Sequence, residues 1–356
     1  MKIKISKCAS MQPMNSNSTF VESKKIEPEQ LKMDQGYSWV MVFAAFLSTF
    51  STWGVNSAYS VYFAFYLNHN QFKGAREIDY SAIGGLSFGV GLFSGPLINY
   101  VQGLIGVRST MLMGAIFQFS AALMASWAVS LWQLYLTQGL LQGLGLAFMS
   151  LPALTFISGW FVRRRVLANL LAVTGSGMGG LTFTLGLQKL IEVKGFHWAL
   201  RAQAIITVGL LLIAIALVKD RSKAHKVEFT LYDNQVIKTA GFWLYVFYLV
   251  TCIFGYVIVL YSLPIYTITL GYSSYQGSIV GSMVQLGFCF GRPLAGFLAD
   301  YYGAITTTLV FYYIASIITL ALWIPARNYA SAIALGLCEG LFIGALFSTS
   351  ASSLVH

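Results

Sequence analysis

Two ionisable residues stand deep in apolar sequence, and they are the first candidates for chemistry. Arg292 lies in the run 287–297 with no charged residue within seven positions on either side. Counted from Asp300 at about 1.5 Å per residue, it sits about 12 Å inside an apolar helix. An arginine at that depth costs on the order of 3 kcal/mol, so it should face a protein interior or a wet cavity. Its planar fork suits a carboxylate or another anion held bidentately. The alternative is a structural arginine bonded to backbone carbonyls and a neighbouring helix. Glu339, in the run 336–344, is the other ionisable group at such depth. Measured from Tyr329 it lies about 15 Å down, where it can pair with Arg292, carry a proton, or be a tolerated acid.

Other chemistries lack their residues. His69, His197 and His225 fall in loops and His356 ends the chain, with no carboxylate–His–nucleophile or metal-ligand spacing. Cys8, Cys252, Cys289 and Cys338 have neither metal nor disulfide spacing and read as packing residues. No GxxxxGK[ST] pattern exists, so the many glycines do not cradle phosphate. No metal, cofactor or enzymatic activity is expected.

The elements that must position Arg292 and Glu339 follow from composition. Of 356 residues, 57% are hydrophobic and 10% charged, where a soluble chain carries roughly a quarter charged. Too few charges remain to cover such a chain in water, so its outer solvent is lipid. The net charge of +10 does not point to nucleic acid, because Lys and Arg sit in short loops between apolar runs. Ten apolar runs are long enough for spans: 38–66, 82–101, 109–129, 131–159, 167–187, 199–218, 242–270, 276–299, 305–324 and 329–352. Runs this long and this rich in Leu, Ala and Gly close as helices, with Pro152 and Pro264 as expected kinks. The division is a disordered cytoplasmic tail (1–36), a six-helix half (37–218), a cytoplasmic linker (219–241) and an incomplete half of four helices (242–356).

With the N-terminus inside, fifteen basic residues are cytoplasmic and six external, leaving Arg292 within a span. Both termini are therefore expected in the cytoplasm. Arg163, Arg164 and Arg165, after the fourth span, read as a topology determinant that contacts anionic lipid, or as a cytoplasmic gate. Trp39, Trp132, Trp160, Trp198 and Trp243 fall near span ends as an interfacial belt. Shifting the second part by 197 residues aligns Gly84 with Gly281, Pro96 with Pro293, Leu97 with Leu294, Gly106 with Gly303 and Thr110 with Thr307. Two parallel halves joined by a cytoplasmic linker describe a transporter. Glycines four apart (85/89, 91/95, 139/143, 175/179, 277/281 and 287/291) give smooth faces for close packing or sliding.

Three segments carry a family pattern. Asp34-Gln-Gly36-Tyr37-Ser-Trp39 with Thr52-Trp53-Gly54-Val-Asn56-Ser57 resembles the first span of monocarboxylate transporters, the fungal branch in particular. The run from Trp160 to Ala168, followed by Thr174-Gly175-Ser176-Gly177, is similar to that family's aromatic-basic signature. Gly291-Arg292-Pro293 and Asp300-Tyr-Tyr-Gly303 resemble its eighth span and following loop. The resemblance implies an all-α major facilitator fold with alternating access, and it places Arg292 where the family's anion-binding arginine stands. It also implies twelve spans, so ten (6 + 4) suggest truncation after the tenth. Animal proton-coupled members carry an Asp and a Lys where Phe288 and Ser57 stand here. The expected function is transport of a small organic solute, a monocarboxylate-like anion, across the plasma or vacuolar membrane. Arg292 and Asn56 would contact it, Glu339 would contribute coupling, and Asp300 would join the three arginines at the cytoplasmic gate. The rival expectation is a truncated, non-transporting protein, a degenerate paralogue or partial gene model.

Overall fold

In lipid every backbone group must find a partner within the chain, and a helix provides this within one segment. The computed structural model describes residues 35–72, 74–161, 165–219, 238–323 and 327–344, the side chains of residues 158, 165, 166, 300 and 304 excepted. The tail, most of the linker, Arg163 and Arg164 lie outside them.

The chain opens with α1 (Tyr37–Ser57) and α2 (Tyr59–Asn68), which form one 32-residue apolar stretch interrupted at Ala58. Next come α3 (Glu77–Phe93), α4 (Gly95–Ile105) and α5 (Val107–Ala125). Helix α6 (Leu131–Leu134) continues through a π-helical segment, Tyr135–Leu141, into α7 (Gln142–Ser158). Helices α8 (Arg165–Lys194) and α9 (Phe196–Leu217) precede the linker, and α10 (Ala240–Thr269), α11 (Ser274–Tyr302) and α12 (Ala304–Ile318) follow it. Helix α12 runs into a second π-helical segment, Thr319–Trp323, and α13 (Tyr329–Ile343) is last. Hydroxyls inside these helices bond back to the preceding turn, as Ser48 does to Ala44 O (3.0 Å) and Thr52 to Ser48 O (2.7 Å). That removes the cost of carrying Ser and Thr through an apolar medium.

Among the described residues seven helical stretches are long and apolar enough to span a membrane, or eight if α3 and α4 count as one. The expected ten is reached only if α11 and α13 also cross; α11 does not meet that apolarity and the described part of α13 has 15 residues. A break between two helices falls before a different proline. Pro152 and Pro264 lie inside continuous helices, whereas α3 and α4 meet at 51°, just before Gly95-Pro96.

Glycines set the helix spacing. A Cβ on Gly54 (α1) would lie 2.7 Å from the Gly179 backbone (α8), and one on Gly145 (α7) would lie 2.7 Å from the Gln118 nitrogen (α5). Only a hydrogen permits such approach. Gly85 and Gly89 are different: nothing lies within 4 Å of a Cβ at either, so that pair packs no helix. The repeat is visible in local geometry. Gly106 (φ 82°) and Gly303 (φ 90°) both precede a helix in the left-handed region that favours glycine. Thr110 and Thr307 donate back to their carbonyls at 2.8 and 3.0 Å. Pro96 and Pro293 break the parallel, since Pro293 sits inside unbroken α11.

The outer surface is apolar: Phe93, Leu244, Phe247 and Phe297 are all more than two-thirds exposed. Trp127, Trp132, Trp198 and Trp243 are exposed near helix ends, the placement of an interfacial belt. Trp160 is not part of it; it is buried against Tyr37, ring centroids 5.8 Å apart.

Candidate functional site

Arg292 follows Phe288 by four residues on α11, so both side chains share a face. The guanidinium carbon stands 4.8 Å from the Phe288 ring centroid, a cation–π contact that favours a desolvated charge. Arg292 is 4% exposed. Its Nη1 donates to Val173 O at 2.9 Å and to Ser176 Oγ, both on α8, while Nε donates to Gly344 O (3.4 Å) after α13. One side chain thus ties three helices. Among the described residues no carboxylate lies within 4 Å of it; the one ion pair there is exposed Lys189–Glu192. Nη2 donates to no described residue, leaving one edge of the fork for another acceptor.

The backbone reaches this geometry through small residues. Cys289 Sγ and Gln285 O on α11 would each lie 2.9 Å from a Cβ on Gly177, so α8 passes close enough for Arg292 to reach its carbonyls. On the other flank of α11, Gly287 lies against Gly340 of α13.

An aromatic layer adjoins the arginine. Tyr256 packs on Phe288 at 5.6 Å and its hydroxyl bonds to Ser57 of α1. Phe88 of α3 meets Tyr256 at 5.9 Å, and Tyr59 of α2 meets Tyr261 of α10 at 5.8 Å. Ser57 and Phe288 are therefore neighbours of the arginine and its layer.

Asn56 is not placed beside Arg292. It lies among the helices that precede the linker, where its Oδ1 accepts from Ser87 (3.0 Å) and its buried Nδ2 has no partner. It lines a cavity of about 20 Å³ with Tyr62, Gln138, Gln142 and Gln203, room for about one water. Tyr62 donates to Gln203 at 2.9 Å. Three glutamines in apolar helices were the available sequence signal for this cluster, since buried amides need partners. A larger crevice of about 330 Å³ opens between α2, α8 and α11, lined by Asn68, His69, Gln188 and Glu192.

Glu339 does not pair with Arg292. It is fully buried on α13, with Thr319 bonded to Oε1 and with Oε2 unpartnered. Sequence reasoning missed Thr319 and Ser176, because nothing in local spacing ties either to residue 339 or 292. Arg165 lies at the start of α8 and Asp300 near the end of α11, so the backbone places both at helix ends.

Comparison with known proteins adds the lineage. The Major Facilitator Superfamily model matches residues 41–356. Probable transporter MCH2 of Saccharomyces cerevisiae is 41% identical over 90% of this chain and 68% of its own length. Uncharacterized transporter ESBP6 of the same yeast is 33% identical over 88% of this chain and 49% of its length. The Fujikurins efflux protein of Gibberella fujikuroi is 29% identical, over 87% and 67%. The chain thus spans between half and about two thirds of these relatives. Among solved structures, the xylose transporter XylE of E. coli in a partially occluded inward-open conformation superposes with a TM-score of 0.69. It is 13% identical, and the match covers 90% of this chain and 85% of that one.

Proposed function

Because the chain belongs to the Major Facilitator Superfamily, we propose that it moves a small organic solute, a monocarboxylate-like anion, by alternating access. Membership of that superfamily makes it a multi-pass integral membrane protein and not an enzyme. The observation that carries the anion is Arg292: a buried guanidinium held only by neutral oxygens, without a carboxylate among the described residues. A buried cation without a counter-charge is costly, and a carboxylate on the open edge of its fork supplies that charge. Movement between the halves, 37–218 and 242–356, would carry the anion across, since the arginine bonds helices of both. Asn56 and its glutamines would bind an uncharged polar part of the solute, and Glu339 would contribute coupling. Arg163, Arg164, Arg165 and Asp300 would form a cytoplasmic gate, with both termini on that side of a plasma or vacuolar membrane. A non-transporting paralogue finds no favouring observation, and each relative above is named a transporter or efflux protein.

The test is uptake of radiolabelled monocarboxylates by cells expressing Arg292→Lys and Arg292→Gln. Lysine keeps the charge and loses the fork; glutamine loses the charge. Uptake is expected to fall at least tenfold in Arg292→Gln, with membrane amounts near wild type, and less in Arg292→Lys. Unchanged uptake in Arg292→Gln overturns the anion reading.

A further inference from the structure

We infer that Glu339 and Thr319 form a proton-binding site, with Glu339 a neutral acid in this conformation, separate from the arginine that the transport reading assigns to the anion. The inference deepens that reading by naming what Glu339 carries, but its geometry stands without it.

Thr319 Oγ1 lies within bonding distance of two oxygens: Ala315 O, one turn back at 2.9 Å, and Glu339 Oε1. A hydroxyl has one hydrogen and can accept with its lone pairs. If Glu339 were ionised, both neighbours would compete for that hydrogen. Oε2, buried and unpartnered, would also share a negative charge with nothing to answer it. If Glu339 is protonated, its O–H donates to Thr319 and Thr319 donates to Ala315 O, so each hydrogen has an acceptor. Oε2 is then a neutral carbonyl oxygen, far less costly to leave unbonded than an anion.

No counter-charge is at hand. Among the described residues no Lys, Arg or His nitrogen lies within 4 Å of the Glu339 carboxyl. The elements packed on α13 are α10, α11, α12 and the π-helical segment that follows. The titratable groups they bring to this region give Glu339 no counter-charge. Arg292 of α11 bonds Val173, Ser176 and Gly344, and Tyr256 of α10 bonds Ser57. Tyr248, Tyr261 and Cys252 of α10 and Tyr312 of α12 carry hydroxyls and a thiol, which cannot supply a positive charge. Thr319 opens the π-helical segment Thr319–Trp323, a helix distortion that recurs at functional sites. Here it sets the hydroxyl between the two oxygens. Glu339 and the Gly344 carbonyl that Arg292 holds lie little more than one turn apart at the end of α13. Loss of the proton would thus be felt on the helix that the arginine grips.

Infrared difference spectroscopy of the full chain in lipid at neutral pH reads the proton directly. The carbonyl stretch of a protonated carboxyl is expected in wild type and absent in Glu339→Gln, which keeps the side chain's shape. In Thr319→Val that band should move to higher frequency as its hydrogen bond is lost, and in Thr319→Ser it should stay. Absence of the band from wild type, or its survival in Glu339→Gln, overturns the proposal. An unmoved band in Thr319→Val overturns the part given to Thr319. Uptake plays no role in these spectra, so their failure leaves the anion reading standing, and a failed uptake assay leaves the proton site standing.

Discussion

Gly287→Ala adds one methyl group where α11 and α13 pack backbone to backbone near the arginine, and its effect can be worked from the structure. The new Cβ would lie 2.5 Å from Leu337 O and 2.7 Å from Gly340 Cα and Leu341 N, all backbone atoms of α13. Backbone cannot rotate aside as a side chain can. Ordinary contact begins near 3.4 Å, so α11 and α13 must part by about 0.9 Å. Overpacking of this kind costs about 1–3 kcal/mol. Parting by 0.5–1 Å forfeits about a quarter to a half of each dispersion contact along the seam. Alanine's better helix propensity returns about 0.5–1 kcal/mol, leaving a net loss of up to about 2.5 kcal/mol. The bond from Arg292 Nε to Gly344 O is already 3.4 Å long and breaks with the parting. Gly209→Ala is the control, because nothing lies within 4 Å of its Cβ. It should be neutral or gain up to about 1 kcal/mol from propensity. Denaturant or thermal unfolding of both variants in detergent gives the comparison. Equal stability of Gly287→Ala and Gly209→Ala would refute the claim that glycine at 287 is required by backbone contact.

Ser176→Ala removes a neutral acceptor from Arg292 Nη1 while Val173 O keeps the other bond. If the solute's carboxylate competes for that guanidinium, apparent affinity should rise, by up to about fivefold for a bond of about 1 kcal/mol. Uptake kinetics with a monocarboxylate check it, and a lower affinity contradicts the competition. For topology, the proposed orientation, read from fifteen basic residues against six, expects glycosylation acceptors inserted near Gly74 to be modified and those near Lys226 not to be; the reverse pattern inverts the orientation.

Much was legible in the chain alone. Fold class followed from composition, because a chain with a tenth of its residues charged has only lipid to face. The helices between 37 and 323 fell where the apolar runs predicted, because span length is set by bilayer thickness and apolarity is local. Gly106 and Gly303 with their threonines could be matched by a 197-residue shift, because the bond between them lies within five consecutive residues. Arg292 was conspicuous for its isolation from charge in sequence, and among the described residues no carboxylate lies within 4 Å of it.

Partners were not legible. Sequence left Glu339 free to meet Arg292, but α13 crosses α11 at Gly287 and Gly291, and that crossing turns the carboxylate toward Thr319 and the Gly344 carbonyl toward the arginine. It grouped Asn56 with Arg292, yet the packing of α1 against α7 and α9 directs Asn56 toward glutamines of the helices that precede the linker. It read every glycine pair alike, whereas Gly54 touches a neighbouring backbone and Gly85 touches nothing. A residue's type fixes what it can bond and how deep it can lie. Which oxygen lies within 3 Å of it depends on the crossing of helices more than a hundred residues apart, as Arg292 and Val173 are. Those crossings are set by many small contacts at once, so only the tertiary structure decides them.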